Sequence, residues 1–151
     1  MAACLYHSGM TEEALRPRVG VGVMVLKNGH VLLGRRKGSH GSGEYAYPGG
    51  HLEHLESFEQ CATREVREET GLEIGPLRFL RVLNTRVYAP KHYVDLAFAA
   101  DWVSGEPRVL EPNKVENWAW YPLDALPSPL FGTIPTALEA LTTGRSFWDG
   151  P

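Results

Sequence analysis

Apolar and polar positions fall into order from Val19 onward: Val19, Val21, Val23 and Val25 of "VGVGVMVL" share one face of an extended strand. "KNGH" (27–30) brings the Asn-Gly pair of a two-residue hairpin turn, and "VLLGRR" predicts the returning strand. The Gly- and Ser-rich "KGSHGSGE" (37–44) reads as a flexible loop, and after the short "YAY" the "PGG" at 48–50 predicts a tight turn. The period then becomes helical. Ser57 as N-cap, Gln60 three residues on and Gly71 as stop predict a helix over about 58–70. "LRFLRVLNTRVY" (77–88) and "HYVDLAFAADWV" (92–103) predict longer strands separated by "APK", and "NWAWY" (117–121) another. "TALEAL" (136–141) predicts a second helix with Thr136 and Glu139 as its cap pair. Helices interrupting a mainly β pattern predict an α/β fold, a mixed sheet covered by helices.

Length fits that as one domain: 151 residues bury roughly 70% of the surface an unfolded chain exposes. Residues 1–16 read as a flexible leader, 17–145 as the domain and 146–151 as a tail. A net charge of −3 offers no broad basic surface, which argues against duplex nucleic acid as a partner. The apolar run at 19–26 is far short of a membrane span, "MAACLYHSGM" lacks a signal-peptide core, and Cys4 and Cys61 have no metal-type spacing. The expectation is a cytoplasmic protein with free thiols and no membrane contact.

The first helix carries an anomaly. At about 100° per residue, with Phe58 at zero, Ala62 falls near +40° and Val66 near +80°, marking the apolar face. Glu65 falls near −20°, Glu69 near +20° and Glu68 near −80°, so two glutamates lie in the apolar sector. Like charges at such spacing cost about 0.2–0.5 kcal/mol per pair on an exposed helix and more once desolvated. Three remedies are open: proton uptake, a hard divalent cation such as Mg²⁺ or Mn²⁺, or salt bridges to Arg64 and Arg67. Six of the 18 acidic residues fall within 51–72, so the acidity is local, and the neighbouring Gly49 and Gly50 leave backbone open to close approach.

These residues match a known pattern. "GHLEHLESFEQCATREVREETGL" fits the Nudix signature at all nine specified positions: Gly50, Glu56, Arg64, Glu65, Val66, Glu68, Glu69, Gly71 and Leu72. "RPRVGVGVMVL", "VLLGRRKGS", "PGGHLE", "HYV", "EPNKVENWAWY" and "PLF" further resemble the nucleotide triphosphate diphosphatases of the human type-fifteen and plant type-one Nudix groups, over roughly 16–131. "YAYPGG" departs from them, so Ala46 and Tyr47 are expected to reshape the base pocket.

The resemblance implies an α/β/α sandwich and Mg²⁺-dependent hydrolysis of a nucleoside diphosphate linked to another group, with Mn²⁺ able to substitute. Nucleoside triphosphates, modified ones among them, are the expected substrates, giving monophosphate and pyrophosphate. Dinucleoside polyphosphates, sugar nucleotides and NADH are the alternative substrates, and a non-catalytic nucleotide-binding module is the rival of another class. By the same resemblance Glu65 and Glu69 hold metal with Glu68 as third ligand or water-bridged neighbour, the Gly49 carbonyl adds a ligand, and Glu116 joins a second ion. Glu65 takes the proton of the attacking water and Arg64 orients the carboxylates through Glu56. Arg36 faces the phosphates, His51 touches phosphate or bound water, and Phe131 with Leu130 walls the base. An ordinary role stays open for each: a pairing charge for Arg64, a strand-edge charge for Arg36, a solvated loop acid for Glu116, core packing for Phe131 and Leu130. Trp118 and Trp120 are expected to pack the sheet, and dimers are common among relatives.

Overall fold

The computed structural model describes residues 9–38 and 40–150. Its opening hairpin joins β1 (Arg18–Lys27) to β2 (His30–Arg36) through Asn28 and Gly29, whose φ angles of 50° and 74° match the twist of the flanking strands. The two strands pair only at Leu26↔Val31 and Lys27↔His30. Beyond that point β1 changes neighbours. Its first half runs antiparallel to β4 (Gly49–His51), and nearly its whole length runs parallel to β7 (Tyr93–Ser104), from Arg18↔Tyr93 to Leu26↔Asp101. β2 pairs instead with β3 (Tyr45–Ala46) and β8 (Val115–Pro122). The sheet therefore splits between β1 and β2, and a cavity of about 750 Å³ lies against that split, with Gly20 and Gly22 lining it from β1 and Gly34 and Arg36 from β2.

β6 (Arg78–Thr85) continues the sheet antiparallel to β7, the short β5 (Glu73–Ile74) pairs with the far end of β7, and β9 (Phe147–Trp148) runs parallel to β6. Alternation along the central strands sends successive side chains to opposite faces. Val21, Val23, Val25, Leu32, Phe98 and Ala100 meet Cys61, Ala62 and Val66 of α1 (Phe58–Thr70). Met24, Val31, Leu33, Ala97 and Ala99 meet Ile134, Ala137 and Ala140 of α2 (Ile134–Thr143). Each fully buried valine contributes about 1.5–3 kcal/mol relative to exposure. The result is the mixed sheet between helices that the sequence predicts.

α1 begins and ends as predicted: Ser57 Oγ accepts from the Gln60 N–H (3.0 Å), Gln60 Oε1 accepts from the Ser57 N–H (2.8 Å), and Gly71 closes the helix in the left-handed conformation. Elsewhere the elements shift. Gly49 and Gly50 form no tight turn but belong to β4, because β1, freed from β2, offers them a ladder. The strand predicted to run to 88 stops at Thr85; residues 86–91 turn away, and the Tyr88 hydroxyl is tied to Glu44 and to the Gly132 N–H. α2 starts at Ile134 with Thr133 as N-cap and no side-chain cap bond. Thr136 is no cap there, since its hydroxyl accepts from Arg81 Nε (2.8 Å). Residues 147–148, assigned to a tail, form β9 and bury Trp148. Phe58, taken as the reference position of the apolar face, is 46% exposed and meets Phe98 at a tilt of 41°. Cys61 is a buried free thiol, and Cys4 lies outside the described residues. Among the described residues no helix is long and apolar enough to cross a membrane.

Candidate active site

The serine cap and glycine stop set the register of α1, and register decides which glutamates turn inward. Glu65 is 9% exposed and lies against Gly50 of β4, where a Cβ would overlap its carboxylate. Without a side chain Gly50 lets the carboxylate reach the strand backbone. Glu69, one turn on, is partly buried as a residue and its carboxyl is shielded: burial, then the charges of Glu65 and Glu111, push its pKa well above the usual carboxylate range. Glu111 enters from the loop before β8. Its Oε1 accepts from Lys114 Nζ (3.3 Å), while Oε2 is buried without a hydrogen-bond partner. Shielded carboxylate oxygens lacking donors call for a proton or a hard cation, and an all-oxygen donor set suits Mg²⁺. Glu65, Glu69 and Glu111 thus fit a divalent ion chemically. Among the described residues, no three His, Cys, Asp or Glu side chains are drawn together as a formed metal cluster.

Arg64 answers part of that charge. Its guanidinium grips Glu56 through two bonds (2.7 and 3.0 Å), bonds Glu65 Oε1 (2.7 Å) and Glu68 Oε2 (3.3 Å), and donates to the His51 carbonyl (3.2 Å). It thereby joins helix, preceding loop and β4. The same hydrogen bonds hold the pKa of Glu56 down at about 2. Arg67 serves no such role; it forms a two-bond pair with Glu73 (2.9 Å each).

The cavity runs from these carboxylates to an aromatic end. There Phe131 stacks on Tyr88 (centroids 4.7 Å apart, planes 9° apart), and the Arg36 guanidinium lies 4.1 Å from the Phe131 ring centre. His51 stacks on Tyr93 at 5.6 Å, and burial followed by the charge of Arg18 lowers its pKa, favouring neutral imidazole. On the floor, Asp95 Oδ2 accepts from Arg81 Nη1 (2.7 Å). Arg81 is fully buried and spends its remaining donors on the Thr136 hydroxyl, the Asp95 carbonyl and the Thr133 carbonyl. Burial raises the pKa of Asp95, and Arg81 opposes the rise.

Of the residues singled out in the sequence, Arg36, Gly49, His51, Glu65, Glu69 and Phe131 line this cavity, as do Ala46, Tyr47 and Trp118. The others lie elsewhere. Arg64 and Glu68 line a shallower depression on the outer side of α1. Glu116 points away and pairs with Arg35 (3.1 Å), and Leu130 packs into the α2-side core. Glu111, Asp95 and Tyr88 were missed as site residues. Loop sequence alone does not say whether Glu111 or Glu116 turns inward, but Asp95 was detectable: Tyr93, Asp95 and Ala97 share one face of β7, where a lone carboxylate needs a partner.

The NUDIX domain model matches residues 16–141. The chain is 39% identical over 105 residues to the NAD-capped RNA hydrolase NudC of Pseudomonas aeruginosa, covering 70% of this chain and 36% of that protein. It is 38% identical over 120 residues to the NudC of Vibrio vulnificus, covering 77% and 43%. It thus spans less than half the length of either relative. Among solved structures, a MutT NUDIX hydrolase from Burkholderia pseudomallei superposes with a TM-score of 0.79 at 38% identity, covering 84% of this chain and 99% of that one. A UDP-X diphosphatase shares the fold at a TM-score of 0.70 and 22% identity, covering 89% and 68%. The names carried by these proteins differ from the triphosphate diphosphatase groups whose motifs the sequence resembles.

Proposed function

The chain belongs to the NUDIX family of hydrolases, whose members generally use a divalent metal, and from that premise we propose that it is a Mg²⁺-dependent pyrophosphohydrolase of nucleoside triphosphates. Modified nucleotides are included, the products are monophosphate and pyrophosphate, and Mn²⁺ can replace Mg²⁺. The observation that carries this reading is one cavity with shielded carboxylates at one end and, at the other, stacked aromatic rings with Arg36 against them. Its volume suits a nucleotide-sized ligand.

Glu65 and Glu69 would hold the ion, with the Gly49 backbone beside them and Glu111 near enough to Glu69 for their charges to interact. Bound there, Mg²⁺ offsets the charge of the diphosphate and activates water. Arg64 keeps Glu65 in place by gripping it together with Glu56 and the end of β4. Arg36, held near Phe131, supplies positive charge to the phosphates, and neutral His51 donates to a phosphate oxygen. Water attacks phosphorus, pyrophosphate leaves, and the water proton passes to Glu111 Oε2, which has no donor of its own, rather than to Glu65 Oε1, which Arg64 occupies.

The test is to incubate the protein with nucleoside triphosphates and Mg²⁺ and separate the products by chromatography. Monophosphate and pyrophosphate are expected; no monophosphate above an EDTA control refutes the reading. A second substrate, an NADH-type dinucleotide, is favoured by the NudC relatives, and cleavage to two mononucleotides in the same experiment would identify it.

A further inference from the structure

Asp95 does more than neutralise a buried arginine. Arg81 is saturated by five acceptors and uses only Oδ2 of the carboxylate. Oδ1 makes no hydrogen bond among the described residues. It lies on the side of Gly20, where a Cβ would come within 3.0 Å of it, and Asp95 lines the cavity with its side chain 15% exposed. Gly20 pairs with His51 on one side and with Asp95 on the other. Two strand spacings, about 10 Å, therefore separate Asp95 from His51, a span on the scale of one nucleoside. Tyr47 and Thr133 complete this floor, and both are already tied into the Arg81 network.

We propose that Asp95 selects the base, its Oδ1 accepting a hydrogen bond from an exocyclic amino group of the bound nucleotide. The inference rests on the nucleotide reading above. With phosphates at the carboxylate end, the base enters edge first, and the substituent farthest from the sugar is the one that meets the floor. An amino group donates to Oδ1. A keto oxygen sets lone pairs against lone pairs and is rejected. Arg81 makes the preference rigid by fixing the carboxylate, so Asp95 does not rotate to suit another edge.

Binding of nucleoside monophosphates, measured by calorimetry, tests this without any turnover. The pairs are GMP with IMP and AMP with purine riboside monophosphate, each differing in one amino group, and CMP with UMP, in which a keto oxygen replaces the amino group. At least one amino-bearing member is expected to bind about tenfold or more tightly than its partner. In Asp95→Asn the Arg81 donors hold the amide oxygen, turning its NH₂ toward the cavity, so that preference should vanish or invert. Equal binding within about twofold in all three pairs, binding by none at millimolar concentration, or a preference kept in Asp95→Asn overturns the proposal. The wild-type comparison decides alone if the variant does not fold. Base preference without triphosphate turnover would fault the function and leave this inference standing; turnover without base preference would do the reverse.

Discussion

Gly50→Ala isolates the placement of Glu65 from the stability of the fold. Gly50 lies in the extended strand β4 and has no positive φ, so alanine meets no backbone strain there. Its Cβ, however, would stand 2.5 Å from Glu65 Oε2 and closer to the rest of that carboxylate, whereas ordinary contact begins at 3.4 Å. Glu65 is a side chain and can retreat, by about 1 Å; a displacement of that size at a reacting centre costs about 10²-fold in rate. Expected are a melting temperature within a few degrees of wild type and kcat/KM for the best triphosphate lowered about 10²-fold. Gly49→Ala is the contrast, because its Cβ meets the Val21 carbonyl at 2.5 Å, and main chain in the central sheet has nowhere to go. That variant should lose stability first. Full activity in a folded Gly50→Ala would refute the claim that Glu65 acts from its seat on β4.

Three other outcomes follow from the site. Glu111→Gln should lower kcat by about 10²–10⁴-fold, while Glu116→Gln, which loses only an exposed pair with Arg35, stays within about twofold; equal effects would undo the choice between them. Because burial and Glu65 raise the pKa of Glu69, the contribution of this carboxyl to the stability of ion-free protein is present at low pH and is lost as pH rises through the raised value. Mg²⁺ should therefore bind more tightly with rising pH and release protons, read as binding heats that differ between buffers of unlike ionisation enthalpy; identical heats would contradict it. Glu56 behaves oppositely: held at about 2 by Arg64, it stabilises the fold above its ordinary 4.5 and ceases to do so as pH falls toward 2. The difference in melting temperature between wild type and Glu56→Gln should shrink over that window, and a constant difference would count against the Arg64 grip.

Local chemistry made much of this legible. Ser57, Gln60 and Gly71 set the ends of α1, Asn28-Gly29 set the hairpin, and the helical wheel alone puts Glu65 and Glu69 in the apolar sector. What stayed hidden depended on pairing distant in sequence. "PGG" reads as a turn until β1 parts from β2 and needs another neighbour. Glu111 lies in the loop before β8 and Glu116 on β8 itself, five residues on, and only the pairing of β8 with β2 sets Glu116 beside Arg35. Phe131 was legible as a candidate ring of the cavity, which it lines, but its contacts with Tyr88 and Arg36 were not, because all three come from separate segments.

The change of partner along β1 also governs how this molecule can adapt. One strand supplies a wall of the cavity and, by pairing with both β4 and β7, carries the central ladder of the sheet. Widening the crevice from that side would break the hydrogen bonds whose rupture unfolds the core, so the amides of β1 belong among the last to exchange with solvent. Compliance is left to the rim, residues 40–44 and 86–91, which touch through Tyr88 and Glu44. A ligand of unfamiliar shape must be accommodated there, over a base plate that does not yield.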